Sequence, residues 1–442
     1  MPECRSRRKN PQSVLCITLR IIMLSVYRLF AIIIAPLALG WLRWKAPGPP
    51  ELRARWRERS GYAPEPTAPV LWIHAASYGE VNAIQALVHS LLERFPAHNL
   101  VISTLTATGL ERAEQLFGAR VSTTFIALDT PGRVRRWLKR IQPQAGIIVE
   151  TEIWPELFRQ CRQRNIPLIV ANARLAPGAM KQYRRWRALF TPALDAVVMA
   201  AARSEADADR FRQLGLADDR IRVTGNLKFD MPLPDNIGQR AGQLRQRWGD
   251  RPVWVGGSTR EGEEEIVLAA HQQLLEQRPD ALLILAPRHP QRCGEVREMM
   301  NRQGITFQTI GENIRPETSV VLVDGLGLLL SCYAAAPVAF VGGSLVDIGG
   351  HNLLEPAAFG KVVIAGPHLH QQADTATALD AAGALVKVED AESLATEVAG
   401  IWNDPQLALE RGRAALSVVE SGRGSVRRTL RQIEQVLSAT AD

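Results

Sequence analysis

The residues able to do chemistry in this 442-residue chain cluster where apolar runs end. Glu80 stands in HAASYGEVNAIQAL, directly after the run VLWIHA, with Ser77 and Gly79 leading into a helical pattern. A carboxylate at a helix start is stabilised as the anion by the helix dipole, and at a strand end it can act as a general base. Helix starts are also enriched in acidic residues with no further role, so position alone leaves both readings open. Glu150 closes the run GIIVE, and Glu152 opens the next helix in VETEIWPELF, where Pro155 is tolerated in a first turn. A carboxylate closing an otherwise buried strand is costly unless paired or used, which makes Glu150 the more suspicious of the two. Lys228, in RVTGNLKFDMP, follows the last strand of the first half, where a lysine facing a cleft can bind an anion and otherwise is a solvated charge.

The second half is richer. GGSTREGEEEIV places Gly256, Gly257, Ser258 and Thr259 between a strand and a helix whose early carboxylates are Glu261, Glu263, Glu264 and Glu265. Backbone amides of such a turn can bind phosphate, although the acidic first turn is also explained by ordinary capping. APRHPQR then presents Arg288 and His289 at a strand end, a pair suited to phosphate or pyrimidine recognition. GGSLVDIGGHNLLEPAAFG combines four glycines with His351, Asn352 and Glu355: glycines admit a ligand to the backbone, Asn352 can cap, and Glu355 can accept both hydroxyls of a ribose. Together these point to a nucleotide site.

Other patterns carry less. Asp207 and Asp209 match a metal-binding Asp-x-Asp, yet Ser204 and Asp207 have capping-box-like spacing, and helical residues two apart do not face each other. Gly360-Lys361 lacks the upstream glycine of a phosphate-binding loop, and the turn after the first strand lacks Gly-x-Gly-x-x-Gly. The five cysteines are widely spaced, mostly in apolar runs, and form no Cys-x-x-Cys site, as expected of reduced core thiols.

The elements that must position these residues read as two similar halves. Apolar runs at 70–75, 100–104, 124–128, 146–150, 167–173 and 196–200 alternate with helical patterns. After MPLPDNIGQ (231–239), the best linker, the alternation restarts at 252–257, 282–287, 320–325, 338–343 and 362–367. This predicts two doubly wound parallel-sheet domains, with ligands beyond the carboxyl ends of the strands and a cleft between domains as the default site. Hydrophobic residues at 46% and charged residues at 22% fit a folded, mostly soluble chain. The net charge of +8, with arginines at 53, 55, 57 and 59, suits anionic partners without requiring nucleic acid. One segment departs from this: residues 21–42 carry a single charge, Arg28, and one proline, Pro36. The uncharged part from Leu29 to Leu42 is short for a span, and the basic flank at Arg43 and Lys45 favours a cytoplasmic anchor over a secretory signal. Met23 is an alternative start.

The ordered motifs HAASYGE, TATG, VETEIWP, ANARL, GNLKFD, GSTREGEEE, PRHP, VGGSL and GGHNLLEP resemble the 3-deoxy-D-manno-octulosonic acid (Kdo) transferases of Gram-negative lipopolysaccharide assembly, from about Leu29 to the C-terminus. The resemblance implies a GT-B fold with an N-terminal extension and anchor at 1–45, an acceptor domain at 46–235 and a CMP-sugar donor domain at 236–442. It implies inverting, metal-independent transfer of Kdo from CMP-Kdo to the lipid A disaccharide precursor, at the cytoplasmic face of the inner membrane, without cofactor or nucleic acid. Carried over, it makes Glu80 the general base and Glu150 and Lys228 supporting groups. Arg288, His289, the backbone around Leu326, Gly327 and Leu328, and Asn352, Leu353, Leu354 and Glu355 would hold CMP. Leu328 stands where the family often has an acidic residue, so a backbone contact is expected there. A UDP-sugar transferase or epimerase, and a non-enzymatic nucleotide-binding protein, are the competing classes. The number of Kdo residues added is not encoded in these motifs.

Overall fold

The structure is a computed structural model that describes residues 11–45, 50–66, 69–325 and 327–439. All eleven apolar runs form strands, and each belongs to one of two seven-stranded parallel sheets. The first sheet contains β1 (Val70–His74), β2 (Asn99–Thr104), β3 (Ser122–Phe125), β4 (Pro143–Val149), β5 (Leu168–Ala173), β6 (Val197–Ala202) and β7 (Ile221–Val223) in the order β3-β2-β1-β4-β5-β6-β7. The second contains β8 (Val253–Thr259), β9 (Leu282–Pro287), β10 (Phe307–Thr309), β11 (Val320–Leu322), β12 (Val338–Val341), β13 (Val362–Ala365) and β14 (Leu385–Lys387) in the order β10-β11-β9-β8-β12-β13-β14. Continuous apolar runs are what a parallel strand covered on both faces demands, and β1, β9, β12 and β13 are buried along their whole length. The three strands the apolar runs do not announce, β7, β10 and β14, are three residues long and lie at sheet edges. There, half of the ladder faces no neighbour and apolar continuity is not required.

The core of the first sheet is built around Trp72 and Trp137, fully buried and edge-to-face with centroids 5.0 Å apart. Gly146, on the neighbouring β4, makes room for this pair: a Cβ there would lie 2.7 Å from the Trp72 ring. Cys161, Cys293 and Cys332 are buried free thiols.

Two compact units result. Residues 1–232 and 423–442 form one, and 233–422 form the other. The last helix, Ser425–Ala439, therefore returns to the first unit, burying Val426, Ile433 and Leu437 in its core. The Asp230 carboxylate fastens this return, accepting the Gly424 and Val426 amides at 2.7 and 2.6 Å. Linear order along the chain does not disclose such a return.

The N-terminal helix runs Pro11–Lys45. Within it, Ile22–Trp41 is long and apolar enough, by length and composition, to cross a membrane. The basic residues ahead of it, at 5–9, lie outside the described residues. The arginine cluster after it is only partly a solvated patch. Arg59 is buried, stacked on Trp56 and Phe125 with its guanidinium carbon 5.0 and 4.0 Å from the ring centroids. Arg55 pairs with Glu58 and Glu114, so these two cations are spent inside the unit and Arg57 stays exposed.

Candidate active site

In the first unit the site is built where β1 and its neighbour β4 end. Ser77 caps the short helix Tyr78–Ala83, and Glu80 occupies the third helical position. A reciprocal capping arrangement follows: the Glu80 amide donates to Ser77 Oγ at 3.4 Å and Ser77 Oγ donates to Glu80 Oε1 at 3.1 Å. The Ala76 amide donates to Glu80 Oε2 at 2.6 Å. The carboxyl group is thus fixed by local structure, as an ordinary helix-start acid would be. What sets it apart is its environment. Burial, assisted by the charges of Glu150 and Glu152, raises its pKa to about 8 despite the two hydrogen bonds. Glu152 is likewise pushed up by burial and by Glu150.

Glu150, the first residue beyond β4, has φ +61°, a left-handed conformation that glutamate rarely adopts. Its amide is held by the Ala171 carbonyl of β5 at 3.0 Å. Asn172, next on β5, is also left-handed (φ +52°) and fully buried. Its Oδ1 accepts the Leu227 amide at 3.0 Å, which seats the turn Leu227–Asp230 against the end of β5 and so places Lys228 there. The strand order β1-β4-β5 brings the three candidates Glu80, Glu150 and Lys228 to one carboxyl edge of one sheet.

In the second unit the corresponding edge is cationic. β8 extends through Gly256, Gly257, Ser258 and Thr259, further than the expected turn, and Arg260 follows it. Arg288 and His289 follow β9, and the Arg288 amide donates to the Thr259 carbonyl at 2.9 Å, tying the two strand ends together. Arg260 Nη1 meets His289 Nε2 at 2.5 Å. His289 is lowered by desolvation and by the charges of Arg260, Arg288 and Arg292. His351 falls to about 3, through burial first and then Arg288, Arg260 and His289. Both imidazoles are therefore neutral at pH 7. Asn352 Nδ2 donates to Glu355 Oε1 at 3.4 Å, and its Oδ1 accepts the Leu354 amide at 3.2 Å. Burial raises Glu355 to about 7 against the pull of Asn352 and Arg288.

The remaining expected residues divide between ligand-facing turns and structure. Leu353 and Leu354 have buried side chains in the unit's interior, which leaves their backbone for any ligand. Gly327 (φ +78°) and Leu328 form the turn beyond β11, beside β9, and Leu326 lies outside the described residues. The amides of the glycine turn are not directed outward. Gly343, Ser344 and Leu345 donate to the buried Glu263 carboxylate at 2.6, 2.9 and 2.9 Å, as does Arg260 at 2.9 Å. Glu263 is thus the anion this nest binds. Asp207 also serves structure, accepting Ser204 Oγ at 2.8 Å and the Leu175 amide at 3.0 Å. The sequence reading missed Arg260, whose only signal is its place directly after a strand, and Tyr333, hidden in an apolar run. Tyr333 is buried on the helix Leu329–Ala335, and a Cβ on Gly257 would lie 2.1 Å from its hydroxyl.

Known proteins resemble this chain in sequence and in fold. The family described as 3-deoxy-D-manno-octulosonic-acid transferase (kdotransferase) matches residues 54–231. A 3-deoxy-D-manno-octulosonic acid transferase of Haemophilus influenzae is 34% identical over 411 residues, covering 91% of this chain and 96% of that protein. One of Bordetella pertussis is 34% identical over 429 residues, covering 93% and 99%. A probable mitochondrial counterpart in Arabidopsis thaliana is 30% identical over 415 residues, covering 90% and 92%. Among solved structures, the UDP-GlcNAc 2-epimerase of Neisseria meningitidis superposes with TM-score 0.57 at 13% identity, covering 84% of this chain and all of that one. That likeness places the two sheets in the GT-B-like fold class and says nothing further.

Proposed function

The chain belongs to the 3-deoxy-D-manno-octulosonic acid (Kdo) transferase family and is a glycosyltransferase; we propose on that premise that it transfers Kdo from CMP-Kdo to a hydroxyl of the lipid A disaccharide precursor, with inversion. The observation that carries the finer reading is Glu80, a carboxylate fixed at a strand end whose pKa of about 8 suits it to accept a proton near neutral pH. Its Oε atoms take the acceptor hydroxyl proton as that oxygen bonds to the anomeric carbon, and the bond from that carbon to the CMP phosphate oxygen breaks with its electron pair leaving on CMP. Arg260 and Arg288 offset the negative charge on the departing phosphate. Neutral His289 and His351 offer hydrogen bonds without neutralising Glu355, which accepts the ribose hydroxyls. Glu150 sets the electrostatics around Glu80, and Lys228 meets the sugar carboxylate. The acceptor being a lipid, the protein works at the cytoplasmic face of the inner membrane.

Incubating the full chain with CMP-Kdo and lipid A precursor in detergent, with products read by mass spectrometry, tests this directly. A product heavier by one or more Kdo units supports the reading. Absence of product, together with thermal protection by UDP and not by CMP, sinks it in favour of a UDP-sugar enzyme.

A further inference from the structure

The N-terminal helix is fastened sideways to the first unit. Tyr27 donates its hydroxyl to Asp129 Oδ2 at 2.7 Å, and Arg28 Nε pairs with Glu156 Oε2 at 2.7 Å. Neither partner is a loose surface acid. Asp129 accepts the Glu156 and Leu157 amides at 3.0 and 2.7 Å, so it caps the helix Pro155–Gln163 from outside, and the Glu156 side chain is fully buried. Beyond this latch the same helical face continues through Ala31, Ala35 and Ala38, small side chains that let the helix approach closely. Ala35 is 4% exposed, and the helix packs on Arg187–Ala193. The opposite face bears Val26, Phe30, Ile33, Leu37 and Trp41, each more than half exposed, at helical spacings of three or four.

This geometry argues against Ile22–Trp41 crossing a bilayer. Crossing would bury Arg28, six residues in, about 9 Å deep in hydrocarbon and drag the capped end of the Pro155–Gln163 helix with it. Residues 29–41 supply about 20 Å of helix against the roughly 30 Å a span requires. Beside the helix lies a cationic corner. Lys181, Arg184, Arg185 and Arg187, where the helices Pro177–Arg185 and Arg187–Ala193 meet, are all exposed, and Trp186 between them is 48% exposed.

We propose that the N-terminal helix lies in the plane of one leaflet, clamped lengthwise to the first unit, and that its apolar stripe together with the cationic corner at 181–187 forms a single docking surface for an anionic membrane. The stripe supplies burial and the corner supplies attraction to lipid phosphates, with Trp186 at the headgroup level. Both helix ends then stay on the side from which the protein binds.

The test uses the full chain with Cys4→Ser and Cys16→Ser, carrying one nitrobenzoxadiazole-labelled cysteine at Val26, Ile33 or Trp41 and added to sealed vesicles. An in-plane helix gives all three labels the same depth, within a few Å, against nitroxide lipids. External dithionite bleaches 26 and 41 equally. A span gives a deepest label at 33 and a label at 41 protected until the vesicle is permeabilised, which overturns the proposal. A parallel arm compares phosphatidylcholine vesicles with vesicles containing phosphatidylglycerol. The anionic vesicles should bind more tightly, with each corner cation worth about fivefold. Lys181→Gln, Arg184→Gln, Arg185→Gln and Arg187→Gln combined should remove most of the preference while leaving binding to neutral vesicles. An unchanged preference would exclude the corner from the docking surface.

Discussion

Replacing Glu80 with glutamine separates a catalytic carboxylate from a helix-capping one. Glutamine keeps the side chain's length and can keep both local contacts, its carbonyl accepting from Ala76 and its amide donating to Ser77 Oγ, so the cap survives. What goes is the ionisation. Burial has lifted that pKa from 4.5 to about 8. At about 1.4 kcal/mol per pH unit the shift bounds the cost of the buried anion near 5 kcal/mol, and partial contact with water lowers a realistic figure to about 1–3. The sign follows from proton binding. The folded state holds this proton between pH 4.5 and 8 while the unfolded chain has lost it, so the stabilising share is complete below 4.5 and is lost as pH rises through 8. Glu80→Gln should therefore match the parent's stability near pH 4.5 and exceed it at pH 9. Activity moves the other way: above pH 8, where the parent's carboxylate is ionised, kcat should fall by on the order of a hundredfold or more, the usual worth of a positioned base, and the gap should narrow at lower pH. The parent's kcat/KM should climb with pH along an acid limb centred near 8, and the variant should lack that limb. Chemical denaturation at the two pH values and a pH–rate profile measure both. A variant transferring Kdo within tenfold of the parent above pH 8 would falsify the assignment and leave Glu80 a helix cap.

Removing the Glu150 charge with Glu150→Gln takes away a like charge beside Glu80, so the acid limb of kcat/KM should move to lower pH; a limb that stays in place means the two carboxylates do not communicate. Arg288→Ala should weaken CMP binding by about 1.5–3 kcal/mol through loss of a charge-assisted contact, and Glu355→Gln should weaken CMP more than a nucleotide lacking the ribose hydroxyls. Calorimetric titration of both variants checks this, and unchanged affinities would remove the second unit as the donor site. Gly257→Ala forces a methyl to within 2.1 Å of the Tyr333 hydroxyl and should cost about 1–3 kcal/mol, read as a lowered Tm. Tyr333→Phe alone should be near neutral, because that buried hydroxyl has no hydrogen-bond partner among the described residues, and added to Gly257→Ala it should recover part of the loss.

The strand pattern was legible because parallel strands buried on both faces must be apolar throughout, and that demand shows in runs such as VLWIH and LLILAP. IRV, FQT and LVK lie at the edges and escape it. The residues beyond strand ends were legible because a charge closing an apolar run calls for an explanation, which singles out Glu80, Glu150 and Arg288. The roles of the glycine turn and of Glu263 were not. A carboxylate in a first helical turn looks the same in sequence whether it faces water or, as here, accepts amides from a turn eighty residues away. The N-terminal helix shows the same limit. Its composition suits an interface, a span or a core; the exposure of its apolar stripe excludes a core, and the contacts of Tyr27 and Arg28 with Asp129 and Glu156 are what favour the interface.

The two carboxylates with the most displaced pKa values show how the protein decides which charges to neutralise. Glu355 feels Arg288 and the Asn352 amide, either of which would ordinarily hold a carboxylate below 4.5, yet burial outweighs both and leaves it at about 7. Glu80 is raised by burial first and then by the neighbouring charges of Glu150 and Glu152, and reaches about 8. Had an arginine stood beside Glu80, an ion pair would have formed and the carboxylate would have lost the basicity that the proposed proton abstraction requires. The first sheet's carboxyl edge therefore carries Glu80, Glu150 and Glu152 along with Lys228, and Glu150 stands there in a left-handed conformation at a cost of about 1–3 kcal/mol. The second sheet gathers Arg260 and Arg288 beside imidazoles that stay neutral. Their positive charge is then offset by Glu355 only to the extent that burial lets it ionise, and ribose hydroxyls donating to Glu355 would favour the ionised form. The acids around Glu80 and the cations around Glu355 belong to different sheets, and within each sheet burial, more than pairing, sets the carboxylate's pKa.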